Sequence, residues 1–229
     1  MLKEISSLKL NPISKYEFER LLSGNIEELM ERFSKSKEEI MKMADIVLEA
    51  IKHAEYQIER KEHINEWTSI RKIWNVSGFI LLASLDLKVF MELLCISKDS
   101  MQRIAITRMI YTQLYEISRS LDDLTNIRYV EEIKKIQASR YVNELYDKRK
   151  VLSELRKKYE RELYKVRVNV GAHREEDYQI FHDYICSMEY TASMQLVFMF
   201  SNAIDDLGET IQKIMNQSAE YIKYIYEGK

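Results

Sequence analysis

Turn-forming residues are almost absent: the chain has five glycines and one proline, Pro12, in 229 residues. Sandwiches, barrels and glycine-rich phosphate loops need glycine or proline at tight turns every few positions, so this scarcity argues against all of them. What remains is a chain of long helices, and the apolar spacing supports it. Ile40, Met43, Val47, Ile51, Ala54 and Ile58 form one helical stripe. Ile104, Met109, Tyr111, Leu114, Ile117 and Leu121 form another. Tyr141, Leu145, Leu152, Leu155, Tyr159, Leu163 and Val166 form a third, near coiled-coil spacing. Trp74 to Ile96 is apolar on several sides, as expected of a helix at the centre of a bundle. Tyr178 to Tyr226 is helical with a break expected near Gly208.

Other breaks are expected at Ser23-Gly24-Asn25, at Ser118 to Asn126, and at Asn169-Val170-Gly171. Ser97-Lys98-Asp99-Ser100 reads as a helix stop followed by an N-cap. None of these is a flexible linker. The expected architecture is therefore all-α: a single antiparallel multi-helix bundle over residues 1–229, with more than about two thirds of the chain helical and no sheet. Residues 1–12 read as a loosely ordered N-terminal segment.

The apolar share of 46% is enough for a large core. Phe79 to Ile96 is the most hydrophobic run, but Asp86, Lys88 and Glu92 interrupt it, and it is shorter than the ~20 apolar residues that span a bilayer. No signal peptide is read in Met1 to Pro12, and Cys95 and Cys186 read as small buried hydrophobes in a reducing compartment. The expected location is cytoplasmic, without membrane association. Asp86 and Glu92 are expected to pair with a base or face an edge. Asp122 and Asp123 read as turn or cap residues. Glu59 and His63 are placed on one helix face as a surface pair. No metal-ligand set, paired-cysteine pattern or Walker loop is found, and no cofactor is expected.

The net charge of −2 gives no global nucleic-acid signal. The distribution is uneven, however. Residues 134–174 hold thirteen Lys/Arg against five Asp/Glu. Such a run is either a solvated helix face or a rim that attracts a phosphate backbone. It leads into Arg167-Val168-Asn169-Val170-Gly171-Ala172-His173-Arg174. Histidine exchanges protons near neutral pH, and arginine offers a permanent cationic fork to phosphate oxygens.

An arginine and a histidine separated by five residues, ending Gly171-Ala172-His173-Arg174, resemble the signature of HEPN domains from prokaryotic defence and toxin systems. The specific resemblance covers about ten residues. It implies a helical bundle acting as a metal-independent ribonuclease, with Arg167 and His173 catalytic and Asn169 a supporting polar group. Lys157, Lys158, Arg161, Lys165 and Arg174 are the candidate RNA-binding residues. The resemblance also implies a homodimer with a shared cleft, and a cognate antitoxin or partner protein. Val168 stands where family ribonucleases often carry a polar residue, and Glu175 where one toxin subgroup has tyrosine. The alternative is a non-catalytic helical module that binds a partner protein or nucleic acid. In it, Glu175, Glu176 and Asp177 favour the start of a following helix and His173 belongs to a capped turn. A coiled-coil-like scaffold on Tyr141 to Val166 is a third reading.

Overall fold

The computed structural model describes residues 26–168, 179, 183 and 190–227. Of the described residues, 93% are helical and none lies in a strand. Six helices follow in order: α1 (Ile26–Glu59), α2 (Ile64–Ile96), α3 (Ser100–Leu124), α4 (Ile127–Lys135), α5 (Val142–Val166) and α6 (Tyr190–Glu227). A 3₁₀ turn, Ser139–Tyr141, precedes α5. The segments around Pro12, Ser23-Gly24-Asn25 and Cys186 lie outside the described residues, as does the expected N-terminal segment 1–12.

Ion pairs and hydrogen bonds between helices fix the topology. Early α1 meets late α2 through Lys37 and Glu92, and late α1 meets early α2 through Glu55 and Arg71 at 2.8 Å. These helices are therefore antiparallel. The same crossing order holds for α2 and α6: Trp74 Nε1 donates to Ser218 Oγ at 2.9 Å, and Ser84 Oγ donates to Asp205 Oδ1 at 2.6 Å. It holds again for α5 and α6, through Lys148 with Asp206 and Glu144 with Lys213, at 2.8 and 2.6 Å. Helix α2 sits at the centre and packs on α1, α3, α4 and α6. That explains its apolar residues on several sides.

Burial follows the predicted stripes closely. In α5, Leu145, Leu152, Leu155, Leu163 and Val166 are all buried. In α1, Val47 and Ala54 are buried, with Ile51 and Ile58 packed against them. The α3 stripe needs a correction of one position: Met109 is 54% exposed and Ile110 is fully buried. Either residue is apolar, so hydropathy alone cannot decide which of two neighbours faces inward. Asp99 caps α3 as expected, its carboxylate accepting from Gln102 N at 2.8 Å.

Three further expectations are corrected. Helix α6 runs unbroken through Gly208. A Cβ at this position would come within 3.3 Å of Ile80 Cγ2, so the glycine sets close approach of α6 to α2 and does not end a helix. Helix α3 continues to Leu124, which narrows the expected Ser118 to Asn126 connection to Thr125 and Asn126. Asn126 caps α4 by accepting from Arg128 N at 2.9 Å. Glu59 and His63 do not share a helix face, because α1 ends at Glu59 and Lys61 and His63 turn the chain with φ of 62° and 42°.

Asp122 is more than a turn residue: it pairs with Arg156 at 2.8 Å and Arg149 at 3.6 Å, tying α3 to α5. Asp86 is exposed at the edge of α2, and partial burial raises its carboxyl above the ordinary value. Cys95 is free and half-buried, its thiol pushed up first by burial and then by Glu92.

Helix α4 is held by one buried carboxylate. Glu132 accepts from Ser69 Oγ at 2.7 Å, Lys72 Nζ at 2.6 Å and Lys135 Nζ at 3.0 Å. Burial opposes its ionisation, but the hydrogen bonds from Lys72, Ser69 and Lys135 outweigh that and pull its pKa from 4.5 to about 2. A depressed carboxylate stabilises the fold above its unfolded value and loses that contribution as pH falls from 4.5 towards 2. Both lysines are more than half exposed, so solvent screening reduces the contribution to about 2 kcal/mol. Urea unfolding at pH 6 and pH 3 should show the parent losing about that much more than Glu132→Gln. An equal loss in both proteins would remove Glu132 as the cause.

Candidate functional site

The basic stretch divides into two parts along α5. In the first part the cations anchor helices. Lys148 pairs with Asp206, Arg149 and Arg156 pair with Asp122, and Arg140 Nη2 donates to Gln217 Oε1 at 2.6 Å. In the second part the side chains face outward. Lys157, Lys158 and Arg161 are exposed and Lys165 is half-buried. Residues 157–167 carry five cations and two carboxylates.

Lys157, Arg161 and Tyr164 follow one another at spacings of four and three residues, which places them on one face of α5. Tyr164 is half exposed and its ring lies 5.9 Å from that of Tyr115 on α3. Arg119, also on α3, donates to the Tyr115 hydroxyl at 3.4 Å. Lys158 lies over the Tyr159 ring at 5.5 Å. The tilted Tyr115–Tyr164 pair and the Tyr159 ring are thus each bordered by a basic group, Arg119 of α3 and Lys158 of α5.

Arg167 follows the last residue of α5 and keeps helical backbone angles, with φ −58° and ψ −48°. Its side chain is directed to α3. Nε donates to Glu116 Oε1, and the guanidinium lies 5.4 Å from the centre of the Tyr115 ring. The Glu116 hydrogen bond and charge raise its pKa further, so Arg167 is cationic at every accessible pH. One third of the side chain is exposed, at 34%. Asn169, His173 and Arg174 lie outside the described residues, so the structure brings Arg167 to Tyr115 and Glu116 and leaves the rest of the motif undescribed.

The residues missed by sequence reasoning are Tyr115, Glu116 and Arg119 of α3 and Tyr164 of α5. The available signal was weak: Tyr115 and Arg119 share a helix face, and Tyr164 falls outside the buried stripe of α5. A second polar centre was also missed. Lys88 Nζ donates to Asp205 Oδ2 at 2.9 Å and to Ser84 Oγ at 2.7 Å in the middle of the α2–α6 contact.

Among the described residues, no group of three or more His, Cys, Asp or Glu side chains is placed to hold a metal ion. Nor is any helix there long and apolar enough to cross a membrane. Comparison with protein-family models, with curated proteins and with solved structures found no match to the chain.

Proposed function

We propose that this protein acts on RNA, as a HEPN-like ribonuclease of a prokaryotic defence or toxin–antitoxin system. In this reading the outward face of α5 holds the phosphate backbone and the Arg167/His173 pair carries the chemistry. The observation that supports it is the aromatic pair Tyr115–Tyr164 beside Arg119 and Arg167, next to the α5 face that carries the exposed Lys157 and Arg161. Basic groups track a phosphate backbone while aromatic faces stack on unpaired bases. Lys157 and Arg161 are exposed, so using them costs little desolvation.

The cleavage chemistry follows from the residue types. His173 would take the proton from the ribose 2′-hydroxyl or deliver one to the leaving 5′-oxygen. Arg167 would stabilise charge building on the phosphate oxygens. Family resemblance adds a homodimer in which the two motifs face one another across a two-fold axis, as an isologous interface requires. The Glu116 pairing favours a second reading, since its carboxylate competes with phosphate for Arg167. In that reading the module binds RNA or a partner protein without cleaving.

The test is binding of fluorescent single-stranded RNA across a salt series. Each lost phosphate contact on a single strand flattens the log K against log salt slope by ~0.7. Lys157→Ala with Arg161→Ala should therefore flatten it by about 1.4, while Lys42→Ala, at an exposed residue of α1, should change it less. An unchanged slope in the double variant would remove α5 as the RNA surface. Light scattering on the same samples checks the dimer.

A further inference from the structure

The outer face shared by α1 and α2 is apolar in its middle and oppositely charged on its two halves. Met41, Asp45, Leu48 and Lys52 follow at spacings of four, three and four, forming one stripe of α1, and all are exposed. Lys72, Asn75, Phe79, Leu82 and Asp86 form a stripe of α2, with Phe79 half-buried and the others exposed. The partly exposed ion pairs Lys37–Glu92 and Glu55–Arg71 mark the seam between the two helices. Lys37 is one turn from Met41 and Arg71 is one turn from Asn75, so both stripes border that seam. The same two pairs set the register, which brings Leu48 level with Phe79. Because α1 and α2 are antiparallel, Asp45 and Asp86 fall on one side of this level and Lys52 and Lys72 on the other. Neither Asp45 nor Asp86 has an ion-pair partner among the described residues. Lys52 and Lys72 each meet one carboxylate, Glu49 at 2.8 Å and Glu132 at 2.6 Å, and an ammonium has three donors to offer.

We propose that this face docks a second copy of the chain, about a two-fold axis that crosses both helices at the level of Leu48 and Phe79. The rotation reverses the helix direction, so the acidic half of each copy meets the basic half of the other. Asp86 comes opposite Lys72 of the partner subunit, because the two stand seven residues either side of Phe79. Asp45 comes beside Lys52 of the partner subunit, the two standing three and four residues either side of Leu48. Each contact is made twice, as an isologous interface requires. Leu48 and Phe79 meet their own copies at the axis with Leu82 beside them, which covers apolar surface that is otherwise exposed. Charge also selects the orientation: an axis parallel to the helices would set Asp86 against its own copy, a like-charge contact. The interface uses neither α5 nor Arg167. It is therefore separate from the shared cleft of the RNA reading and does not rest on it.

The experiment joins cross-linking to charge exchange, both on the full chain. With Cys95→Ser and Cys186→Ser as background, Leu48→Cys should give a covalent dimer with a short bis-maleimide. Glu131→Cys, at an exposed residue of α4, should not. Sedimentation velocity then compares the parent with Asp45→Lys and with Lys52→Asp, both at exposed residues that the fold tolerates. Each change turns two ion pairs into two like-charge contacts, so each variant alone should dissociate about tenfold more readily than the parent. An equimolar mixture of the two variants should recover the parental association, since both contacts of the mixed dimer again join opposite charges. The mixture keeps the test valid even where the cysteine variant fails to fold. A parent that stays monomeric, cross-linking at Glu131→Cys equal to that at Leu48→Cys, charge variants that associate like the parent, or a mixture no tighter than its components would each overturn the proposal.

Discussion

His173→Ala should lower RNA cleavage by about 10²- to 10⁴-fold, the usual contribution of a positioned general acid or base. The assay is parent against variant on mixed RNA with EDTA present, followed by analysis of the fragment ends. Cleavage by 2′-hydroxyl attack leaves 2′,3′-cyclic phosphate or 3′-phosphate on one fragment and a 5′-hydroxyl on the other. Arg167→Ala should also lower the rate, and Arg167→Lys should restore only part of it, because a point charge cannot reproduce a planar fork. The structure adds Glu116→Gln to this series. Glu116 now pairs with Arg167, and the neutral amide competes less with phosphate. A catalytic Arg167 therefore predicts faster cleavage or tighter RNA binding in Glu116→Gln. Loss of activity in that variant would instead assign Glu116 a positioning role, holding the guanidinium against Tyr115. Equal cleavage by parent and both alanine variants would place the activity elsewhere. No cleavage by the parent would leave the binding module as the better reading.

Local signals made the helices legible, and non-local ones hid the polar contacts. Of the stripe through Tyr141, Leu145, Leu152, Leu155, Tyr159, Leu163 and Val166, the five aliphatic members are buried and the two tyrosines pack half-buried against the core. Asp99 is equally local, since a cap acts on an amide three residues away. Gly208 misled because its local meaning, a weak point in a helix, was overridden by a tertiary one, the approach of α6 to Ile80. Glu132 and Ser69 lie 63 residues apart, Lys88 and Asp205 lie 117 apart, and Arg167 and Glu116 lie 51 apart. No periodicity connects such pairs; they follow from which helix faces meet. The arginine of the Arg167/His173 motif was visible in the sequence for its chemistry. Its partner Glu116 became visible only once α3 and α5 were packed together.

The Lys88–Asp205 pair should respond asymmetrically to substitution. The Lys88 side chain is only 10% exposed, whereas that of Asp205 is 45% exposed. Removing Asp205 leaves a buried ammonium whose remaining contact is the Ser84 hydroxyl at 2.7 Å. Breaking a buried pair from one side typically costs 3–5 kcal/mol; solvent already reaches Asp205, so Asp205→Ala should cost about 3 kcal/mol. Lys88→Met acts differently. Methionine keeps most of the chain's volume and removes the charge that was costly to bury. Asp205 keeps the Ser84 hydroxyl at 2.6 Å and is exposed enough to be hydrated. That change should stay within about 1 kcal/mol of the parent. Adding Lys88→Met to Asp205→Ala should then recover most of the lost stability, because the uncompensated charge is gone. Urea melts of the parent, both single variants and the double variant close the cycle. Equal losses in the two single variants, or no recovery in the double, would show that the pair is not held by the burial of Lys88.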